Sequence, residues 1–306
     1  MRPRLNRLFP VVARDGQTLK VRVLGRGQPV LLLHGLGLDS RHWLPFIWPF
    51  LHRFRFYMPD FRGAGGSRSV RINQDDIFQN HMEDVQDIVD HFCLKNFLLA
   101  GYSLGGTTAL HWQRAGGFAG VKRYLHIDQT PCISNRADWR YGLCGEQQDE
   151  IFGQLGKLRA VLAQHPDVEQ LAHLPPTVRA QALTIVAETV SRIAGKPALR
   201  KALLTAARWP WLFSTLVPVP HLDDARRLLT SFLTTHHDYL PSLSDCPVPI
   251  TVMVGMRSPL YHPAGQLAIA ERAPQSRVVR MKHSGHVPQT DQPFRFTLEL
   301  GRFLRG

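Results

Sequence analysis

An α/β architecture, with a mainly parallel, doubly wound sheet and an inserted helical cap, is predicted by three observations. Short continuous apolar runs alternate with segments of helical periodicity through the first half of the chain, as buried parallel strands and their crossover helices require. From about residue 134 to 240 the strand-like runs stop and only helical patterns remain. Strands and helices then resume to the end. A hundred residues of helix between two parts of one α/β pattern read as a cap inserted in a core, not as a linker.

The elements follow in order. Residues 9–14 and 17–24 flank Asp15-Gly16, a strong hairpin-turn signal, and predict an antiparallel hairpin at one edge of the sheet. Pro29-Val30-Leu31-Leu32-Leu33 predicts a buried strand ending at His34-Gly35-Leu36-Gly37, with Ser40 as the cap of a helix to about residue 51. Residues 54–58 give the next strand. Over 79–92, Met82, Val85, Ile88, Val89 and Phe92 recur at helical spacing. The run 97–102 is a strand that breaks at Ser103 into a helix, and 121–127 is a strand ending at Asp128. In the insertion, helices are predicted over 151–164, 177–193, 198–207 and 222–234, punctuated by prolines. Strand 249–255, helix 263–272, strand 277–281 and helix 293–304 complete the core. The predicted organisation is core over 1–133, cap over 134–240 and core again over 241–306.

The chain has 306 residues, 44% of them hydrophobic and 20% charged, which suits one large core. No stretch approaches the roughly 20 apolar residues of a transmembrane helix, and the N-terminus lacks the apolar segment of a signal peptide, so a cytoplasmic location is expected. Four cysteines, at 93, 132, 144 and 246, show no metal-ligand or redox spacing and are expected to be reduced and structural. No metal or cofactor is indicated. The net charge is +13, and residues 1–26 hold seven basic residues against Asp15, a local charge of +6. That segment reads either as a solvated surface or as an attraction to anionic lipid or an acidic carrier protein. Nucleic acid is not an expected partner, because the basic residues lack interleaved aromatics and match no groove-binding motif.

The chemistry centres on Gly101-Tyr102-Ser103-Leu104-Gly105. A serine between glycines at a strand-to-helix turn is held in a strained conformation that lifts its hydroxyl clear of the sheet. Such a serine is a weak nucleophile alone and needs a base, an orienting acid and oxyanion donors elsewhere in the chain. His286, on a loop after the last strand, is the candidate base; His283, its nearest rival, lacks the preceding glycine.

These residues, with Leu33-His34-Gly35-Leu36-Gly37, Asp60-Phe61-Arg62-Gly63-Ala64-Gly65-Gly66-Ser67 and Ser284-Gly285-His286-Val287-Pro288, resemble the α/β-hydrolase superfamily in its capped serine esterase, lipase and thioesterase branch. The resemblance covers the chain except the cap. It implies the α/β-hydrolase fold, a catalytic Ser103 and His286, and an oxyanion hole formed by the backbone N–H groups of Leu36 and Leu104. The sequence departs from the commonest pattern at the acid, where Ser258 stands in place of an aspartate. Asp128 resembles the acid of a branch that supplies it from the end of the strand after the nucleophile helix; its other reading is a turn aspartate. Ser258 is then an auxiliary residue, and Asp245 and Asp291 are poorer acids.

The expected activity is hydrolysis of a carboxylic ester or thioester with an apolar acyl group, through an acyl-enzyme on Ser103. The haloperoxidase-like and carbon–carbon bond hydrolase branches also use serine. A non-catalytic binding protein that kept the scaffold after losing its acid is the contrasting reading. Apolar cap residues such as Leu158, Leu162, Ile185 and Val186, and the aromatic run at 208–213, are expected to pack cap on core or to face an acyl chain.

Overall fold

The computed structural model describes residues 8–193, 197–206, 221–235 and 237–306. Eight strands form one sheet: β1 (Leu8–Val12), β2 (Thr18–Gly25), β3 (Gln28–Leu33), β4 (Phe54–Asp60), β5 (Phe97–Tyr102), β6 (Val121–Ile127), β7 (Ile250–Gly255) and β8 (Ser276–Met281). Their order is β1-β2-β4-β3-β5-β6-β7-β8. β1 and β2 pair antiparallel as an edge hairpin, β2 is antiparallel to β4, and every other neighbour is parallel.

The connections explain why a site belongs where it does. From β3 the chain moves outward to β4, then crosses back so that β5 lies on the other side of β3. The carboxyl ends of β3 and β5 therefore flank a topological switch point, where the loops part and leave a crevice. Period-two alternation makes β3 buried on both faces. Leu31 and Leu33 join one core cluster with helices α2 (Ile77–His91) and α3 (Leu104–Gly116), while Val30 and Leu32 join another with α1 (Leu44–Ile47) and the last helix.

The predicted helix from Ser40 to about residue 51 is instead three short pieces: a 3₁₀ turn Ser40–Trp43, α1, and a 3₁₀ turn Trp48–Phe50. Pro45 and Pro49 each lack an N–H, so no continuous ladder can run through them. The cap of the first piece is Asp39, whose side chain accepts from Arg41 N, and Ser40 is its first residue.

The insertion contains α4 (Gln148–Ala163), α5 (Pro176–Ile193), α6 (Pro197–Ala206) and α7 (Leu222–Thr234). Leu158, Leu162, Ile185, Leu222 and Leu229 pack with one another, and Val161 and Val186 pack against them. This corrects the expectation of cap-on-core packing for these residues: the helices carry a small core of their own. The aromatic run at 208–213 lies outside the described residues. α7 is tied to the main core through Asp224, which accepts from Arg71 Nε and Ile72 N, and through Ser231, which accepts from Ile77 N. Short α8 (Leu240–Leu243), then α9 (Pro263–Arg272), short α10 (Pro288–Asp291) and α11 (Pro293–Arg305) complete the chain.

Candidate active site

Ser103 sits between β5 and α3 with φ 51° and ψ −117°, a conformation that L-residues rarely adopt and that costs on the order of 1–3 kcal/mol. Two glycines make the turn possible. A Cβ on Gly101 would lie 2.5 Å from the Gly105 carbonyl oxygen, and one on Gly105 would lie 2.6 Å from the Leu33 carbonyl carbon. Ser103 N donates to Ile127 O across β6, and Ser103 O accepts from Thr107 N, so the strained residue is held from both sides.

His286 Nε2 lies 3.0 Å from Ser103 Oγ, and Nδ1 lies 2.7 Å from Asp128 Oδ2. A carboxylate only accepts, so Nδ1 carries the proton and Nε2 is left to accept from the serine hydroxyl. The loop bearing His286 is fixed by Asp291, whose Oδ2 accepts from Gly285 N and Ser284 Oγ. His283 is exposed, and its backbone N–H donates to Gln292 Oε1.

Asp128 is fully buried at the end of β6, with φ 44°. Besides His286 it accepts from Gly255 N at 2.8 Å, Ser258 Oγ at 2.7 Å and Gln266 Nε2 at 2.9 Å. Ser258 therefore donates to the same oxygen that meets the histidine. Gly255 has no space for a side chain, since a Cβ there would fall 2.5 Å from Asp128 Oδ1. Sequence reasoning missed Gln266 and Tyr261. Gln266 also donates to Tyr261 O, and the buried Tyr261 ring stands 5.4 Å from the His286 ring. Neither belongs to a local motif; a buried glutamine in the first turn of α9 is the only trace in the sequence.

Leu104 opens α3 immediately after Ser103, so its N–H is one of the helix-end donors that have no intrahelical acceptor. The loop holding Leu36 presses on the elbow: a Cβ on Gly35 would lie 2.8 Å from the Tyr102 ring and 3.3 Å from Ser103 Cβ. His34 keeps that loop in place, with Nδ1 donating to Gly35 O and Nε2 accepting from Phe61 N. Burial holds its pKa below the ordinary imidazole value, which suits this neutral role. Asp60 joins the same loops by accepting from Ser40 N and Gly66 N. Beyond the loop runs a cleft whose apolar walls are Leu36, Leu104, Phe61, Ile72 and Leu228.

Residues 30–300 match the alpha/beta hydrolase family. The chain belongs to that family. A pimeloyl-[acyl-carrier protein] methyl ester esterase of Nitrosospira multiformis is 23% identical over 292 residues, 94% of this chain and 98% of its own. The enzyme of the same name from Nitrosomonas europaea is 24% identical over 126 residues, 41% of this chain; the alignment spans 47% of that relative's length. Among solved structures, an esterase from Exiguobacterium antarcticum has the same fold, with a TM-score of 0.72 at 20% identity over 97% of this chain and 99% of that one.

Elsewhere in this alpha/beta hydrolase, among the described residues, Asp76, His111 and His237 bring three potential metal-ligand atoms within 4.8 Å of one another. Arg114 Nη2 lies 3.4 Å from Nδ1 of both histidines, and a guanidinium only donates. Both Nδ1 atoms therefore accept, which leaves the protons on the Nε2 atoms: His111 Nε2 faces Gln79 Oε1 at 2.9 Å and His237 Nε2 faces Asp76 Oδ2 at 3.1 Å. The group fits a clamp between α2, α3 and the chain returning from the cap, and does not fit an ion. No helix among the described residues is long and apolar enough to cross a membrane.

The basic N-terminal segment lies partly outside the described residues. Within them, Arg14 pairs with Asp87 at 2.9 Å, and Arg22 is buried with Nε donating to Ser40 Oγ. These two charges are engaged within the fold.

Proposed function

We propose that the protein is a serine hydrolase that cleaves a carboxylic ester or thioester with an apolar acyl group. The observation that carries the reading is the relay from Ser103 Oγ to His286 Nε2 at 3.0 Å and from His286 Nδ1 to Asp128 at 2.7 Å. In the acylation step Ser103 Oγ bonds to the acyl carbon as its proton passes to His286 Nε2, and the carbonyl π pair moves to oxygen. The main-chain N–H groups of Leu36 and Leu104 receive that oxyanion. Its collapse expels the alcohol or thiol, which takes the proton from Nε2 and leaves an acyl-Ser103 ester. Water, deprotonated by His286, then attacks the acyl carbon and frees the acid and Ser103. Asp128 stays ionised throughout and stabilises the imidazolium. The apolar cleft walls suit an acyl chain, and the full-length relative named for a carrier-bound methyl ester supports an ester of a carrier-borne or free acyl group.

The test is labelling by an organophosphonate, read by mass spectrometry, together with hydrolysis of ester and acyl-CoA series of increasing chain length. Ser103 should carry the label, and Ser103→Ala and His286→Ala should each lose several orders of magnitude in kcat while remaining folded. An unlabelled native protein, or either variant retaining more than roughly a tenth of native activity, contradicts the reading.

A further inference from the structure

The cleft lined by Leu36 and Leu104 is not wholly apolar, for His81 of α2 and Asp224 of α7 share its walls. Both side chains are buried, at 2% and 1% exposure. Asp224 Oδ1 accepts from Arg71 Nε and Ile72 N, but Oδ2 has no hydrogen-bond partner among the described residues. Neither ring nitrogen of His81 has one either, although its ring stacks on Phe61 at 4.6 Å. Leaving a buried polar atom unpaired costs free energy that a ligand's polar group can recover. The tie from α7 to the core does not account for the carboxylate, because it uses Oδ1 alone and an asparagine would make it equally well. Two buried side chains with unspent polar atoms, on the cleft that also holds the proposed oxyanion residues, fit the wall of a binding site.

The charges nearby say what kind of group fits. Arg62 also lines the cleft, but Asp15 and Asp84 hold its guanidinium, each at 2.6 Å, so it is not free to take an anion. The Asp224 carboxylate repels one. A cation is disfavoured as well, since burial and the Arg62 charge bring the pKa of His81 down to about 3. His81 is therefore a neutral imidazole with one N–H to donate and one lone pair to accept, while Asp224 Oδ2 only accepts. The complement is an uncharged group that both donates and accepts, and a hydroxyl is the smallest. We infer that the substrate's acyl chain carries a hydroxyl group, which His81 and Asp224 bind while the ester carbonyl lies at the N–H groups of Leu36 and Leu104. This rests on the hydrolase reading above and names the acyl class that the same site selects.

The test compares kcat/KM for methyl esters of hexanoic and octanoic acid with that for the same esters bearing a hydroxyl on the third or the terminal carbon. At least one hydroxyacyl ester should exceed its plain counterpart by roughly 10-fold or more, because the plain chain leaves the polar groups unpaired. His81→Leu and Asp224→Asn should each bring that ratio towards one. The ratio is the readout, so a general loss of rate in a disturbed fold does not imitate the result. Ser103→Ala should bind the preferred hydroxyacyl ester roughly 10-fold or more tighter than the plain one in calorimetry, a measurement that needs no turnover. Failure of the hydrolase reading and failure of this one are therefore separate results. A ratio near one for every pair overturns the inference and leaves water as the partner of these atoms. So does a ratio that both variants preserve, or a preference only for a hydroxyl placed in the alcohol part of the ester, which would give the cleft to the leaving group.

Discussion

At the scale of single residues, the proposed acid decides how the site works. Asp128 receives three donors besides His286, so its charge is well solvated although it is fully buried. Asp128→Asn should lower kcat by up to about 10⁴, because a neutral amide neither fixes the imidazole tautomer nor stabilises its cation. Ser258→Ala removes one hydrogen bond to that charged carboxylate, worth roughly 1.5–3 kcal/mol, or about 13- to 160-fold in rate. Steady-state kinetics on one ester should give losses in that order, and a larger loss at Ser258 would move the acid elsewhere. Ser103, His286 and the Asp60 turn stand in local glycine-rich motifs and are legible in the sequence for that reason. Gln266 and Tyr261 are not, because only the path of the chain after β7 folds α9 back over the end of β6.

At the scale of elements, the elbow depends on how closely α3 approaches β3. Gly105→Ala would push its methyl group into the Leu33 carbonyl, and main chain on both sides leaves little room to yield. A stability loss of about 1–3 kcal/mol or more is expected in urea unfolding, with activity falling in step as the elbow shifts. A variant as stable and active as the native protein would show the contact to be loose. Where local signals agreed, elements were legible to the residue: α9 spans Pro263–Arg272 with proline at its start, and α7 spans Leu222–Thr234. Four-residue helices such as α8 and α10 are too short to display a period, and two prolines broke the stretch after Asp39.

At the scale of the whole molecule, buried histidines tie stability to pH. Burial, with the nearby Arg62 charge, brings the pKa of His81 down to about 3. Burial and Arg114 bring His111 down to about 4, and burial, partly opposed by the Gln129 carbonyl, brings His126 to about 4. Below the ordinary imidazole value near 6.5 the unfolded chain takes up protons that these folded groups refuse. Their cost is absent above pH 6.5 and grows as pH falls towards 4, by about 1.4 kcal/mol per pH unit for each histidine. Urea midpoints should therefore drop from pH 7 to pH 5, whereas a flat profile would mean that water or a partner charge stabilises the imidazolium in the fold.

The sequence by itself determined the α/β-hydrolase architecture, the strand-to-helix elbow at Ser103 and the residues from which a relay can be built, because each is written in a short stretch of glycines, apolar runs and turn residues. The tertiary structure alone decided which carboxylate meets His286. Asp128 and Ser258 are 130 positions apart, and hydrogen bonding across β6 and β7 brings them to one oxygen. It also decided that the cap helices pack on themselves and that His81 of α2 and Asp224 of α7 line one cleft. A helical period states that two faces differ, but only the neighbours that cover one of them settle which face is buried.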